Sequence, residues 1–350
     1  MAKRKASKRK RKKKSSGWRR WFWITVIVLS LISGIIYLFG GTFSRFLHSL
    51  FIPHETVFVP HRYNYEGALF IGDMLHGKPN GPGIMQLEGG HVLAGSWQNG
   101  KKEGLMRESS VNGDTQFTLW KDDVCVGQAK MLQRVRHRDG HLFERQRFGI
   151  DVSRYQPEYW GAMAICVKPD GTLAPNLDVQ QWVPIDFVFI KASGGRADID
   201  PRYRYHSEMA DILFIPQGAY HVINTNVSID AQIEVYLNQI QDVDLAFPPI
   251  LDIEGSTKEI KPSDFARYEP LYLEWLQGVE QQTHVRPIIY CCHDFYKAYG
   301  RDSRLAQYDF WIADYTSSDL PSTCFMRQIS ETGRLAGWNS YVDIDVLLNR

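Results

Sequence analysis

The chain has 350 residues, room for about two domains, and its 44% hydrophobic, 13% aromatic and 23% charged composition excludes general disorder. The formal net charge of +2 hides an asymmetry: residues 3 to 20 hold twelve of the 41 basic side chains and no acid, leaving 29 basic against 39 acidic residues for the rest. Five cysteines (Cys125, Cys166, Cys291, Cys292 and Cys324) have no CxxC or other metal-ligand spacing, and the histidines are scattered without ligand spacing, so neither a metal nor another cofactor is implied.

The basic tail, residues 1 to 20, runs straight into WFWITVIVLSLISGIIYLF, nineteen residues without a charge. At about 1.5 Å per residue a helix of this length spans the hydrocarbon layer of a bilayer, and Trp18, Trp21 and Trp23 sit where an interfacial aromatic belt belongs. A cleaved signal peptide is the rival reading, but the apolar stretch is long for one and GGTFSRF offers no A-x-A site. The expectation is an uncleaved single transmembrane helix over residues 21 to 41. The positive-inside rule then keeps the basic tail in the cytoplasm and places everything later in the periplasm or outside the cell. Lysine and arginine this close to a spanning segment read as a topology signal, with no nucleic-acid partner implied.

A linker over residues 42 to 62 precedes a glycine-punctuated stretch, YEGALFIGDMLHGKPNGPGIMQLEGGHVLAGSWQNGKKEG. Laying YEGALFIG over LAGSWQNG puts Gly67 on Gly95 and Gly72 on Gly100, a shift of 28 residues, and Trp120 follows Trp97 by 23. Short strands between glycine turns predict stacked β-hairpins, each covering its neighbour's apolar face. The stretch resembles MORN repeats, with a small all-β repeat domain expected over residues 63 to 127. The resemblance implies membrane proximity or protein contacts, and a plain spacer is an equal reading.

Residues 128 to 147 are a basic link that includes a hairpin turn at Asp139-Gly140. From residue 148 to 350 short apolar runs (FGIDVS, DFVFIKAS, QGAYHV, PPILDIE, RPIIYCC, DFWIADY) alternate with helical patterns such as YEPLYLEWLQGVEQQT. This grammar predicts an α/β domain with a largely parallel sheet or barrel. Four acids end apolar runs: Asp151, Asp252, Glu254 and Asp343. In PPILDIEG the two acids are one residue apart, so a strand puts both on one face. Mutual repulsion and partial burial of such a pair raise one pKa and keep a proton available near neutral pH. In an α/β barrel, acids at the carboxyl ends of strands converge on one face.

FGIDVSRYQP, FVFIKAS, GAYHV, PPILDIE, FWIADY and YVDIDV, in this order, resemble glycoside hydrolase family 25, the lysozymes that cut peptidoglycan between N-acetylmuramic acid and N-acetylglucosamine. The resemblance covers residues 148 to 350 and implies a TIM-like (β/α) barrel. It implies catalytic roles for Glu254 as general acid and for Asp252 as nucleophile or as the carboxylate that orients the substrate's acetamido group, with Asp151 and Asp343 tuning the pair or binding sugar. It also implies a substrate groove lined by Tyr220, His221, Tyr155, Trp311 and Tyr315, with Lys191 and Gln328 as further substrate contacts. Flat rings stack on the C–H faces of sugars.

Two departures from the family pattern stand out. WGAMAICVKPDGTLAPNLDVQQW lengthens the usual first helix through a turn or hairpin insertion at KPDGT, and Arg327-Gln328-Ile329 replaces a usual Trp-Gln-Tyr, which puts the shape of one subsite in question. The expected activity is that of a membrane-anchored muramidase. The alternatives are a hydrolase of another N-acetylated glycan and a non-catalytic glycan-binding scaffold.

Overall fold

The computed structural model describes residues 58–253, 260–316, 321 and 324–348. The expected membrane span and Glu254 lie outside the described residues. Among the described residues no helix is long and apolar enough to cross a membrane.

The first seven strands form an antiparallel meander hydrogen-bonded in chain order: β1 (Arg62–Tyr65), β2 (Ala68–Leu75), β3 (Lys78–Gln86), β4 (Val92–Gln98), β5 (Lys101–Ser109), β6 (Thr115–Lys121) and β7 (Val124–Gln128). Two-residue turns with both φ positive join four of the hairpins: Glu66-Gly67, His76-Gly77, Asn99-Gly100 and Asp122-Asp123. Such turns match the twist of antiparallel strands. The last three of them recur every 23 residues, so the 28-residue alignment is out of register. Gly67 is a turn glycine (φ +84), whereas Gly95 lies inside β4, where a Cβ would come within 2.2 Å of the Met106 sulfur. Its true counterpart is Gly72, pressed against the Phe70 ring in the same way.

The meander is no spacer. Ile71, Ile84, Val92 and Ala94 share one buried cluster with the residues that follow, and Leu105 and Phe117 pack with Ala162, Ala164 and Trp182. The buried Arg107 guanidinium donates to the Leu213 carbonyl at 3.2 Å, and Arg62 pairs with Glu208 at 2.6 Å. Nor is the stretch from 128 to 147 a free link. Arg134–Arg136 pairs with Leu142–Glu144 around the expected Asp139-Gly140 turn, and Lys130–Met131 pairs with Gln181–Pro184 of the inserted segment. Within that segment KPDGT closes a tight turn, Lys168 N–H bonding the Thr172 carbonyl at 2.8 Å.

Eight strands then close a barrel: β8 (Arg147–Val152), β9 (Phe187–Gly194), β10 (Gln217–Val222), β11 (Ile250–Asp252), β12 (Ile288–Cys292), β13 (Asp309–Ala313), β14 (Cys324–Gly333) and β15 (Val342–Leu347). They neighbour one another in chain order, and β8 pairs with both β9 and β15 to complete the ring. All neighbours run parallel except β15, which is antiparallel to β14 and β8. The barrel thus departs from a regular (β/α) alternation: a two-strand insertion replaces the first crossover helix, and the last strand returns directly from its neighbour.

The longer helices α1 (Tyr203–Ile212), α2 (Ile229–Ile240) and α3 (Pro262–Thr283) lie outside the barrel. In α2 the buried residues Ile229, Gln232, Tyr236 and Ile240 form a single stripe, and the Ser228 hydroxyl caps the first turn by accepting from Ala231 N–H. Proline opens α3, where a missing N–H costs nothing, and His284 stops it in a left-handed conformation (φ 58). Inside the barrel Phe187, Phe189, Phe247 and Trp311 form an aromatic plug. Gly149 makes room for it, since a Cβ there would meet the Phe187 ring at 2.1 Å.

Candidate active site

Strand alternation decides which side chains meet inside the barrel. On β9, Phe187, Phe189 and Lys191 share the inner face, and on β10 Tyr220 does so. Asp252 ends β11 in register with Val222 and Tyr290 and is 3% exposed. Asp151 near the end of β8 and Asp343 near the start of β15 are direct register partners. Because β15 runs antiparallel, its beginning lies at the same mouth as the carboxyl ends of its neighbours. Asp151, Asp252 and Asp343 are therefore brought to one end of the barrel. Glu254 follows Asp252 by two residues and lies outside the described part.

A hydrogen-bond hub sits beside Asp151. The Gln328 amide donates to Asp151 Oδ2 at 2.8 Å, while its carbonyl accepts from Tyr290 Oη at 3.0 Å and Tyr315 Oη at 2.5 Å. Burial, and then the charges of Asp343 and Asp151, raise the Tyr315 pKa, so its hydroxyl stays a donor. The Trp311 indole donates to Asp345 Oδ1 at 2.9 Å. Lys191 Nζ pairs with Asp198 at 3.0 Å, and Tyr220 packs edge-on to Trp311. Gln328 and Tyr315 belong to the hub at Asp151, Tyr220 packs on Trp311 in the barrel's aromatic plug, and Lys191 on the inner face of β9 is held by Asp198. Tyr155, 81% exposed, stands on the rim in the loop after β8.

His221 does not line the mouth. As Tyr220's neighbour on β10 it points to the opposite face, where it is fully buried. Ser193 Oγ lies 2.9 Å from its Nδ1 and Gln232 Oε1 3.2 Å from its Nε2, and its ring stacks on Trp275. Burial lowers its pKa to about 4, so it serves the packing as a neutral ring.

Asp345 and Tyr290 were not singled out from the sequence. The signal for Asp345 was available: in YVDIDV the i, i+2 rule that pairs Asp252 with Glu254 also puts Asp343 and Asp345 on one face. Asp345 is wholly buried, and desolvation, followed by the Asp343 charge, holds its pKa well above the usual carboxylate range. Desolvation outweighs the hydrogen bonds from Trp311 and with Asp151, both of which act to lower that pKa.

The family model for glycosyl hydrolases family 25 matches residues 150–338, more than half of the chain. The chain belongs to glycosyl hydrolase family 25. It is therefore a glycoside hydrolase. The uncharacterized protein YegX of Escherichia coli (strain K12) is 28% identical over 206 residues, which are 57% of this chain and 68% of that protein. Among solved structures, a family 25 glycosyl hydrolase from Bacillus anthracis aligns at TM-score 0.46 with 21% identity over 60% of this chain and 93% of its own. The bacterial lysozyme from Streptomyces coelicolor aligns at TM-score 0.44 with 22% identity over 58% and 93%.

The departure from the family 25 Trp-Gln-Tyr pattern falls away from the mouth. Only Gln328 faces inward. Arg327 and Ile329 point outward, where the buried Arg327 guanidinium donates to the Asp314 carbonyl at 2.9 Å and meets His137 of the 134–144 hairpin.

Asp345→Asn tests the raised pKa of this buried carboxyl, because asparagine mimics a protonated aspartate in shape and donors. A raised folded pKa means that the stability contributed by Asp345 is complete below about pH 3.9 and is lost as pH rises toward the folded value, at up to about 1.4 kcal/mol per pH unit. The variant lacks that slope. Urea midpoints at pH 4, 5.5 and 7 should therefore shift progressively in its favour relative to wild type, and a constant difference would show that Asp345 is ionised in the fold.

Proposed function

We propose that this chain is a muramidase that cuts the β-1,4 bond between N-acetylmuramic acid and N-acetylglucosamine in peptidoglycan. The observation carrying this reading is the convergence of Asp151, Asp252 and Asp343 at one barrel mouth, in a chain whose family acts on glycosidic bonds. Glu254 is the general acid that protonates the departing oxygen. Asp252 stabilises the oxocarbenium-like transition state, as nucleophile or by orienting the acetamido group of the substrate. Asp151, held by the Gln328 amide, adds a negative charge opposite the developing positive one.

The basic tail and the apolar stretch over residues 21 to 41 tether the enzyme to the cell membrane, with its amino terminus in the cytoplasm and the hydrolase outside. A tether raises the enzyme's effective concentration near that surface and confines cutting to wall within reach. Its role is then local remodelling of the producer's own wall.

The test is digestion of purified peptidoglycan by the full chain in detergent, followed by borohydride reduction and identification of the new reducing end. Muramitol supports the proposal. Glucosaminitol would place the cut at the other bond, and no reducing ends from peptidoglycan, with cleavage of a different N-acetylated glycan, would move the substrate. No cleavage of any glycan would leave a binding scaffold.

A further inference from the structure

A cleft of about 660 Å³ opens beside the barrel mouth, lined by the 154–158 loop, the 337–340 loop, Arg202 and, from the meander, Pro82. That volume lies within the roughly 300–1,000 Å³ of clefts that hold ligands. Its position follows from the register. Asp151 and Asp343 are paired across β8 and β15, and each strand runs on from its acid into one wall, Arg154 three residues after Asp151 and Ser340 three before Asp343. The cleft therefore opens at the same end of the barrel as those acids, and Pro82 of the meander borders it.

Its walls are preformed. Trp338 is buried and donates to the Tyr159 carbonyl at 2.9 Å, tying one loop to the other. The Trp160 indole donates to His206 Nδ1 at 3.0 Å, and His206 Nε2 reaches the Ser153 carbonyl at 3.2 Å. Burial lowers the His206 pKa to about 3, so this bridge is neutral and keeps its tautomer. The meander touches this wall: a Cβ at Gly337 would lie 3.0 Å from Ser96 Oγ and 3.8 Å from Pro82.

The chemistry of the walls selects the occupant. Arg154 is paired with Asp198 and Asp200, and Arg202 with Glu158, so the cleft carries no surplus of positive charge for an anion. What it offers is the exposed Tyr155 ring, the apolar flanks of Pro82 and Pro157, and the exposed Asn339. Ring faces and a neutral amide suit pyranose C–H faces, hydroxyls and acetamido groups. Resting on the glycan-cutting reading above, we infer that this cleft is an accessory subsite, built jointly by the meander and the barrel, for saccharide units distal to the scissile bond on the same strand. The meander thereby gains a function: it lengthens the grip on the glycan.

The test uses the full chain carrying Glu254→Gln and peptidoglycan oligosaccharides of four, six and eight sugars, with and without peptide stems, with affinities measured calorimetrically. Affinity should rise with length in the Glu254→Gln chain, and adding Pro82→Arg or Tyr155→Ala should remove roughly fivefold or more of that gain. Tyr155 is exposed, so its truncation removes no core packing even if Pro82→Arg disturbs its strand. A length gain untouched by both substitutions, or no gain with length, overturns the subsite while leaving the glycan reading intact. A gain confined to oligomers with stems would make the occupant a peptide and overturn the saccharide assignment. Failure to bind any oligomer would end the glycan reading itself.

Discussion

Asp252→Asn and Glu254→Gln each lower turnover of peptidoglycan by about 10²–10⁴-fold, the range over which a positioned acid or base acts. Both substitutions are near-isosteric, so the fold should stay intact and the loss should appear in kcat more than in KM, because each group does its work as the glycosidic bond breaks. Asp252 is 3% exposed at the end of β11, where a charge is held away from water and acts on the sugar through a low dielectric. In the proposed mechanism, removing that charge deprives the oxocarbenium-like state of a counter-charge, and removing the Glu254 proton donor leaves the departing oxygen unprotonated. Release of reducing ends from purified peptidoglycan reads both effects, and circular dichroism checks the fold. A variant cutting at the wild-type rate would remove its residue from the mechanism.

The barrel strands were legible in the sequence because each is an apolar run bounded by turn residues. FGIDV, FVFIKAS, GAYHV, ILD, IIYCC, DFWIA and VDIDV all fall within observed strands. Cys324–Gly333 was not read as a strand, since CFMRQISETG has no apolar alternation. Its polar members are buried against partners that no local pattern reveals: Gln328 holds the hub at Asp151, and Arg327 reaches a hairpin 190 residues earlier. The same blindness to distant contacts made the meander look like a spacer and residues 128 to 147 like a link. The repeat period failed for a different reason. A turn glycine and a strand glycine are spelled alike, and only φ at Gly67 and the close approach at Gly95 tell them apart.

His221 lies on the face of β10 turned away from the mouth. Period-two alternation separates it from Tyr220, and its real neighbour is Trp275 on α3, stacked at 5.6 Å and 16°. Trp275 is itself wholly buried and also packs against Tyr236 at 5.2 Å, so it carries the contact between α3, α2 and the back of β10. Trp275→Ala should cost about 3–5 kcal/mol, the usual loss for deleting a large buried ring and leaving a cavity. Its indole N–H has no hydrogen-bond partner among the described residues, so Trp275→Phe keeps most of the packing, sheds an unsatisfied donor, and should cost far less. His221 adds a pH signature. Its folded pKa of about 4 lies below the ordinary 6.5, so the stability it contributes is complete above pH 6.5 and is lost as pH falls toward 4, where the unfolded chain takes up the proton. Urea unfolding of wild type, Trp275→Ala and Trp275→Phe at pH 7 should reproduce the expected order of losses. A cavity at Trp275 that admits water eases the burial of a charge on His221, so Trp275→Ala should lose less additional stability than wild type between pH 7 and 5. Equal stability of the alanine and phenylalanine variants would mean that α3 is not held by this stack.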